Sequence, residues 1–323
     1  MPFFAIRQAL RTFKKFPEHP PELRMMIVDE MRGDDRCRFS RCSKLSNKVA
    51  KLSKNYIKAL ELRVYSYNII AIFVVFDESE LLINIGYVME FKEIGGSQYM
   101  TSTRCQGREF ERIELSDSIN LQELAFRHLK KLLLMYQNKI KRFFMDSMGN
   151  VVNGNFAFGI RSMRNLEVLM INGRFNSNQF LSKTRKPLKN LIITNNENNT
   201  FPLNKIYRVQ RSLRVPKLGL NNEQFLQLSA TDIDIDMGDL TVMNIFHFVQ
   251  SWRNGKVQLD IRLLYLHVRE QEFNEKKFYR LFGDSRYRTG QFLQLRLEHY
   301  REDGKEVTLR YGGLSLQIEF SYF

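Results

Sequence analysis

The acidic groups with the most regular spacing in this chain lie along Thr231-Asp232-Ile233-Asp234-Ile235-Asp236. Alternation at period two puts three carboxylates on one face of a strand and the isoleucines on the other. A divalent cation needs oxygen ligands converging from several directions. A single strand face does not offer that, so the run is expected to be an amphipathic strand whose acidic side can attract a basic partner. The five histidines (His19, His128, His247, His267, His299) share no zinc-binding spacing. The three cysteines (Cys37, Cys42, Cys105) are too few and too irregular for a disulfide framework or a zinc site. Reduced thiols are the simple expectation, and nothing beside Cys105 in sequence would activate it. No nucleophile elbow, P-loop or dinucleotide-binding glycine motif is present. These residues therefore predict a chain without catalysis, cofactor or metal. The only tryptophan, Trp252, sits near the end of a predicted amphipathic helix and reads as core.

Charge points to partners more than to chemistry. The chain has 323 residues and a formal net charge of +15. Residues 1–60 hold fourteen Lys/Arg against six Asp/Glu, so over half of the excess lies in under a fifth of the length. That surplus is spread over helices with apolar faces and is not gathered into an uninterrupted basic arm. No zinc-finger spacing or aromatic RNA-recognition motif accompanies it. Solvated basic faces and an acidic protein partner are the expectation. A nucleic-acid-binding role for the N-terminal helices is the alternative. The longest strongly apolar run, Ile69–Phe76, is too short to span a bilayer, so no membrane partner is expected.

The positioning elements begin with a basic lead-in over residues 1–16, carrying Arg7, Arg11, Lys14 and Lys15. It lacks the serines of a transit peptide. Residues 17–54 predict a compact helical unit. Pro20-Pro21 tolerates a helix start, since the missing N–H has no intrahelical partner there. Leu23, Met26, Ile27 and Met31 then follow at helical period, and Arg32-Gly33-Asp34-Asp35 breaks the helix. A second short helix would carry Cys37, Phe39 and Cys42, and a third Leu45, Val49 and Leu52, with lysines opposite. Three short helices cannot bury all their apolar stripes on each other, so the unit expects a partner surface.

Residues 55–115 read as an antiparallel β connector. Strands are predicted at Tyr56–Tyr67, Ile69–Phe76 and Leu81–Phe91, with turns at Asp77-Glu78-Ser79 and Gly95-Gly96-Ser97. Residues 120–136 give the clearest helix, with Leu121, Leu124, Ala125, Leu129, Leu132 and Leu133 on one side. Within 116–323 a loose L-x-x-L-x-L pattern recurs, at Leu166/Leu169/Ile171, Leu188/Leu191/Ile193, Val215/Leu218/Leu220, weakly at Ile233/Ile235, then Ile261/Leu264/Leu266 and Phe292/Leu295/Leu297. Candidate helices such as Asn178–Lys183 and Leu240–Trp252 lie between the copies. One strand and one helix per unit predicts either a degenerate leucine-rich solenoid or an ordinary α/β sheet. Residues 292–322 alternate like antiparallel strands. The fold class is thus α+β, a small three-helix unit followed by an α/β leucine-rich-repeat-like domain with antiparallel strands at its ends.

Phe16-Pro17, Pro20-Pro21, Leu23 and the run from Cys42 to Val49 resemble the F-box of nematode F-box proteins. Further on, Phe246, Phe248-Val249, Trp252 and Asn254-Gly255, followed by Arg301-Glu302-Asp303-Gly304-Lys305, look like the type-2 F-box-associated domain of that family. The resemblance implies docking on a Skp1-like protein, and through it a cullin, in an SCF ubiquitin ligase. The C-terminal domain would hold an unknown protein target, with a cytoplasmic or nuclear location. Pro21, Leu23, Ile27, Val28 and Met31 would fill the first-helix positions, and Phe39, Cys42, Leu45 and Val49 would complete the contact face. The chain departs from the family where Arg36, Arg38 and Arg41 enter the second helix and His19-Pro20-Pro21 replaces the usual leucine-proline start. A degenerate interaction module without Skp1 contact is the alternative that these departures motivate.

Overall fold

The computed structural model describes residues 16–18, 20–31, 43–45, 57–78, 84–104, 109–116, 119–136, 138–147, 158–194, 201–256, 261–268, 274–282, 286–289, 292–297, 305–312 and 315–322. The chain is a mixed α and β protein dominated by strands, and it divides into two units. The first comprises residues 1–143 with 158–161, and the second 144–157 with 162–323.

The first unit opens on a 3-10 turn at Phe16–Glu18 and helix α1, Pro21–Glu30. Pro21 occupies the first turn, where its missing N–H costs nothing, and the Arg24 N–H donates to the Pro20 carbonyl at 3.0 Å. The other two expected helices fall outside the described residues, apart from a helical Lys44-Leu45. Five strands then form an antiparallel meander: β1 Ile57–Ser66, β2 Ile69–Glu78, β3 Asn84–Ile94, β4 Ser97–Arg104 and β5 Glu109–Leu115. The Asp77-Glu78 pair, expected in a turn, instead extends β2. A bulge after Val75 lets Asp77 and Glu78 keep pairing with Ile85 and Asn84 of β3. Gly95 and Gly96 do make the expected turn, with φ of 61° and 85°.

One face of the meander is apolar, with Leu60, Leu62, Val64, Ile70, Ile72, Val74 and Phe91 buried. Helix α2, Leu121–Tyr136, packs on β2 and β3 and buries Leu121, Ala125, Phe126, Leu129, Leu132 and Leu133, while Lys130 and Lys131 face solvent. This is why the helix belongs with the meander and not with the strands that follow it. Strand β6, Ile140–Ser147, follows α2 in the chain.

The second unit is built on five parallel strands: β7 Val168–Asn172, β8 Asn190–Thr194, β9 Ser212–Val215, β10 Asp232–Asp236 and β11 Leu263–His267. Helices α3 Asn178–Leu181, α4 Leu203–Ile206, α5 Asn222–Phe225 and α6 Val242–Arg253 connect them in turn. The strands align so that Leu169, Leu191, Leu213, Ile233 and Leu264 stack across the sheet. All five are buried, as are Ile171, Ile193, Val215, Ile235 and Leu266 two residues on. The period-two alternation thus sends every second side chain into one core on the helix side.

Two copies of the sequence pattern are corrected by this register. The third copy was expected at Val215/Leu218/Leu220, but Leu213 and Val215 are the residues aligned with Leu191 and with Ile193's position. Leu218 and Leu220 are buried beyond the strand, in the approach to α5. Apolar pairs at 213/215 and 218/220 share the same i, i+2 spacing, and only pairing decides between them. The sixth copy, Phe292/Leu295/Leu297, starts no further parallel unit. It lies in β13, within an antiparallel set formed by β12 Arg286–Thr289, β13 Phe292–Leu297, β14 Lys305–Gly312 and β15 Ser315–Tyr322. That set follows helix α7, Glu275–Phe282, and closes the parallel edge, since β15 pairs antiparallel with β11.

Helix α6 shows why its sequence starts and stops where it does. Thr241 and Asn244 form a reciprocal capping box at its start. At its end Gly255 takes φ 70°, its N–H donates to the Trp252 carbonyl at 3.0 Å, and the Lys256 N–H reaches the Ser251 carbonyl at 2.8 Å. This pair of bonds is the Schellman closure that a left-handed glycine permits. Trp252 is fully buried against Phe320, with ring centroids 4.6 Å apart.

Candidate functional site

The alternation that buries one set of side chains in the parallel strands leaves the other set on an open face. Its middle row, read across β7 to β11, is Met170, Ile192, Arg214, Asp234 and Tyr265. One step toward the strand ends lie Asn172 beside Thr194, and Asp236 beside His267. One step back, Asn190, Ser212, Asp232 and Leu263 are aligned. The face therefore runs from apolar and neutral groups on β7 and β8, through a cation on β9, to anions on β10 and rings on β11.

The three aspartates occupy this face as expected, but each has its own partner. Asp234 is held between Arg214 Nε at 2.9 Å and His267 Nε2 at 2.7 Å. Asp232 accepts from the Arg262 guanidinium at 3.1 Å. Asp236 accepts from the Gly238 N–H at 3.1 Å, stapling the turn that follows β10. The carboxylates are thus drawn apart to separate cations and one backbone donor. Among the described residues no group of three His, Cys, Asp or Glu side chains converges as a metal ion requires. His267 also stacks edge-on with Tyr265, ring centroids 5.0 Å apart, which fixes the imidazole plane.

Where the strands β7, β8 and β9 end, the open face deepens into a cavity of about 450 Å³ lined by Met170, Asn172, Ile192, Thr194, Phe201, Arg214, Pro216 and Lys217. Crevices outside the carboxyl ends of parallel strands are where open α/β sheets receive ligands. The polar floor is already committed. Thr194 Oγ1 donates to Asn172 Oδ1 at 2.9 Å, and Asn172 Nδ2 donates to Asp146 Oδ1 at 2.7 Å. What the cavity presents to a visitor is apolar surface from Met170, Ile192, Phe201 and Pro216, with Arg214 and Lys217 along one side. Sequence reasoning missed this site. The sequence signal reached only positions 170 and 192, each between two buried residues of the repeat, since strand pairing is what gives Arg214 the same phase.

The residues expected at a Skp1 contact are placed unevenly. Pro21 and Leu23 are exposed on α1, Ile27 and Met31 are half-buried, and Val28 is fully buried by its own chain. Leu45 is half-buried, while Phe39, Cys42 and Val49 lie outside the described residues. Met26, which sequence reasoning set on the same helix face without assigning it a contact, is 64% exposed. No described helix is long and apolar enough to cross a membrane. No protein-family model, curated protein or solved structure matches the chain.

Proposed function

We propose that the chain is a non-catalytic adaptor of an SCF ubiquitin ligase. The N-terminal helices would dock on a Skp1-like protein that bridges to a cullin, and the second unit, a degenerate leucine-rich solenoid, would hold a protein target on its open face. The carrying observation is helix α1. After its Pro20-Pro21 start, it leaves Leu23 at 40% and Met26 at 64% exposure while burying Val28. A helix whose apolar side chains are left uncovered by its own chain is suited to a partner groove. The order of the F-box-like and F-box-associated motifs along the chain supports the same reading. The open face supports protein recognition over nucleic acid. Its strand-borne ionic groups alternate in sign, and Arg214, Asp234, His267, Asp232 and Arg262 are mutually paired, whereas a phosphate backbone is met by a continuous cationic track.

The test uses exposed positions so that folding is preserved. Purified full-length chain is immobilised and challenged with a Skp1-like protein, with and without Leu23→Asp and Met26→Asp. Buried apolar anchors typically contribute about 1–2 kcal/mol or more each, so the double variant is expected to lose at least about 30-fold in affinity. Equal capture by both forms refutes the placement of the contact on α1. Absence of capture by the unaltered chain refutes the adaptor role and favours an interaction module without Skp1.

A further inference from the structure

We infer that the cavity at the ends of β7, β8 and β9 is the specificity pocket of the open face, and that it takes a bulky apolar side chain flanked by carboxylates from an extended segment of a protein target. This rests on the reading of the second unit as a target-holding domain, and it adds the chemistry of what is held. The volume of about 450 Å³ falls within the range of pockets that bury a small-molecule-sized group, which leaves room for one large side chain. The lining divides in two. Met170 and Ile192 lie in register on adjacent strands, and with Phe201 and Pro216 they offer an apolar seat. Arg214, aligned with Ile192 on the next strand, and Lys217 beyond it supply positive charge on one side.

Two features decide between an acidic peptide and other visitors. Asn172 and Thr194 are bonded to each other, and Asn172 also to Asp146, so the floor does not call for a polar head group. Arg214 has Asp234 at 2.9 Å, whereas Lys217 has no acidic partner among the described residues and is exposed. A carboxylate beside the apolar side chain would give Lys217 its counter-charge. A polyanion is disfavoured because Asp232 and Asp234 line the strand next to Arg214 on the same face. A chain of phosphates leaving the pocket in that direction meets like charge within one strand spacing. A polypeptide carries its charges singly and can reverse sign from one residue to the next.

The experiment measures fluorescence anisotropy of full-length protein with a labelled peptide, fluorescein-Gly-Gly-Asp-Phe-Glu-Gly-amide. Three comparison probes are used: the same peptide with Asn and Gln in place of the acids, the same peptide with Ala in place of Phe, and a single-stranded oligonucleotide of similar charge. The expected result is saturable binding of the first peptide that weakens with salt. Lys217→Glu is expected to cost about five- to tenfold, as reversal of one exposed charge pair implies. Ile192→Asp, on the exposed side of β8, is expected to remove binding. Equal binding of the neutral or Phe-less peptide overturns the proposal, as does preference for the oligonucleotide. Capture of the Skp1-like protein through α1 involves none of these residues. If that capture is retained while the acidic peptide does not bind, the pocket assignment fails alone. Loss of that capture in the unaltered chain sinks the adaptor reading whatever the peptide does.

Discussion

Gly238→Ala is a sharp test of the way neighbouring turns of the second unit meet. Gly238 follows β10 with φ of 56°, and a Cβ built on it would lie 2.6 Å from Gly219 Cα, 2.9 Å from the Leu220 nitrogen and 3.1 Å from the Gly219 carbonyl carbon. The left-handed backbone alone costs a side-chain-bearing residue about 1 kcal/mol. The three contacts are all backbone, so no flexible side chain can swing away, and the two turns must separate. Overpacking of that kind adds about 1–3 kcal/mol, giving about 2–4 kcal/mol in total. At about 2–4 °C per kcal/mol for a unit of this size, melting should fall by about 4–16 °C. Trp252 is the only tryptophan and is buried in the same unit, so its fluorescence reports the transition directly. Two comparators separate the causes. Gly255→Ala, at φ of 70° on an exposed helix end, should show only the backbone cost of about 1 kcal/mol. Gly219→Ala places its Cβ 3.6 Å from Gly238 Cα, an ordinary contact, and should cost under about 1 kcal/mol. A Gly238→Ala shift no larger than that of Gly255→Ala would refute the close approach of the two turns.

Trp252→Ala should destabilise the second unit by about 3–5 kcal/mol, because a fully buried indole packed on Phe320 leaves a void its neighbours cannot close. Urea unfolding followed by far-ultraviolet circular dichroism measures it, and a loss below about 1 kcal/mol would place the ring outside the core. Thr241→Ala removes one half of the capping box with Asn244 and should cost about 1 kcal/mol by the same measurement, while Thr241→Ser should restore most of it.

The parts of the fold that were legible in the sequence are those fixed by short-range periodicity. Helix α2 was readable because its leucines recur at helical spacing over four turns, and β1 and β2 because both runs are rich in β-branched and aromatic residues. The helix end at Gly255 was readable because few residues other than glycine tolerate that backbone. The repeat was legible in kind but not in register. At 213–220 two apolar pairs compete, and the hydrogen-bonded alignment with Leu191 selects Leu213. The candidate site was the least legible part. Asp234 meets Arg214 twenty residues earlier and His267 thirty-three residues later, and only the stacking of strands brings them together. Phe201 and Lys217 reach the pocket from segments after β8 and β9, whose positions no local pattern encodes.

The placement of charge changes what the net value of +15 means. Taken alone, that figure favours a polyanionic partner. On the open face, however, Arg214 and His267 share Asp234, and Arg262 is tied to Asp232, so the ionic groups of β9, β10 and β11 nearly cancel at short range. Paired charges that are partly exposed contribute little long-range field and little stability, about 0–1 kcal/mol each. They do set direction, since a partner that breaks the pattern leaves one member of a pair uncompensated. Over half of the surplus lies instead in residues 1–60, ahead of the strands that build the pocket. The chain thus divides its electrostatics between a basic N-terminal portion suited to an acidic protein surface and a neutralised face suited to selective, weakly steered recognition. On that division, raising the salt concentration should weaken association through the N-terminal helices more than binding at the pocket, where a single lysine carries the uncompensated charge.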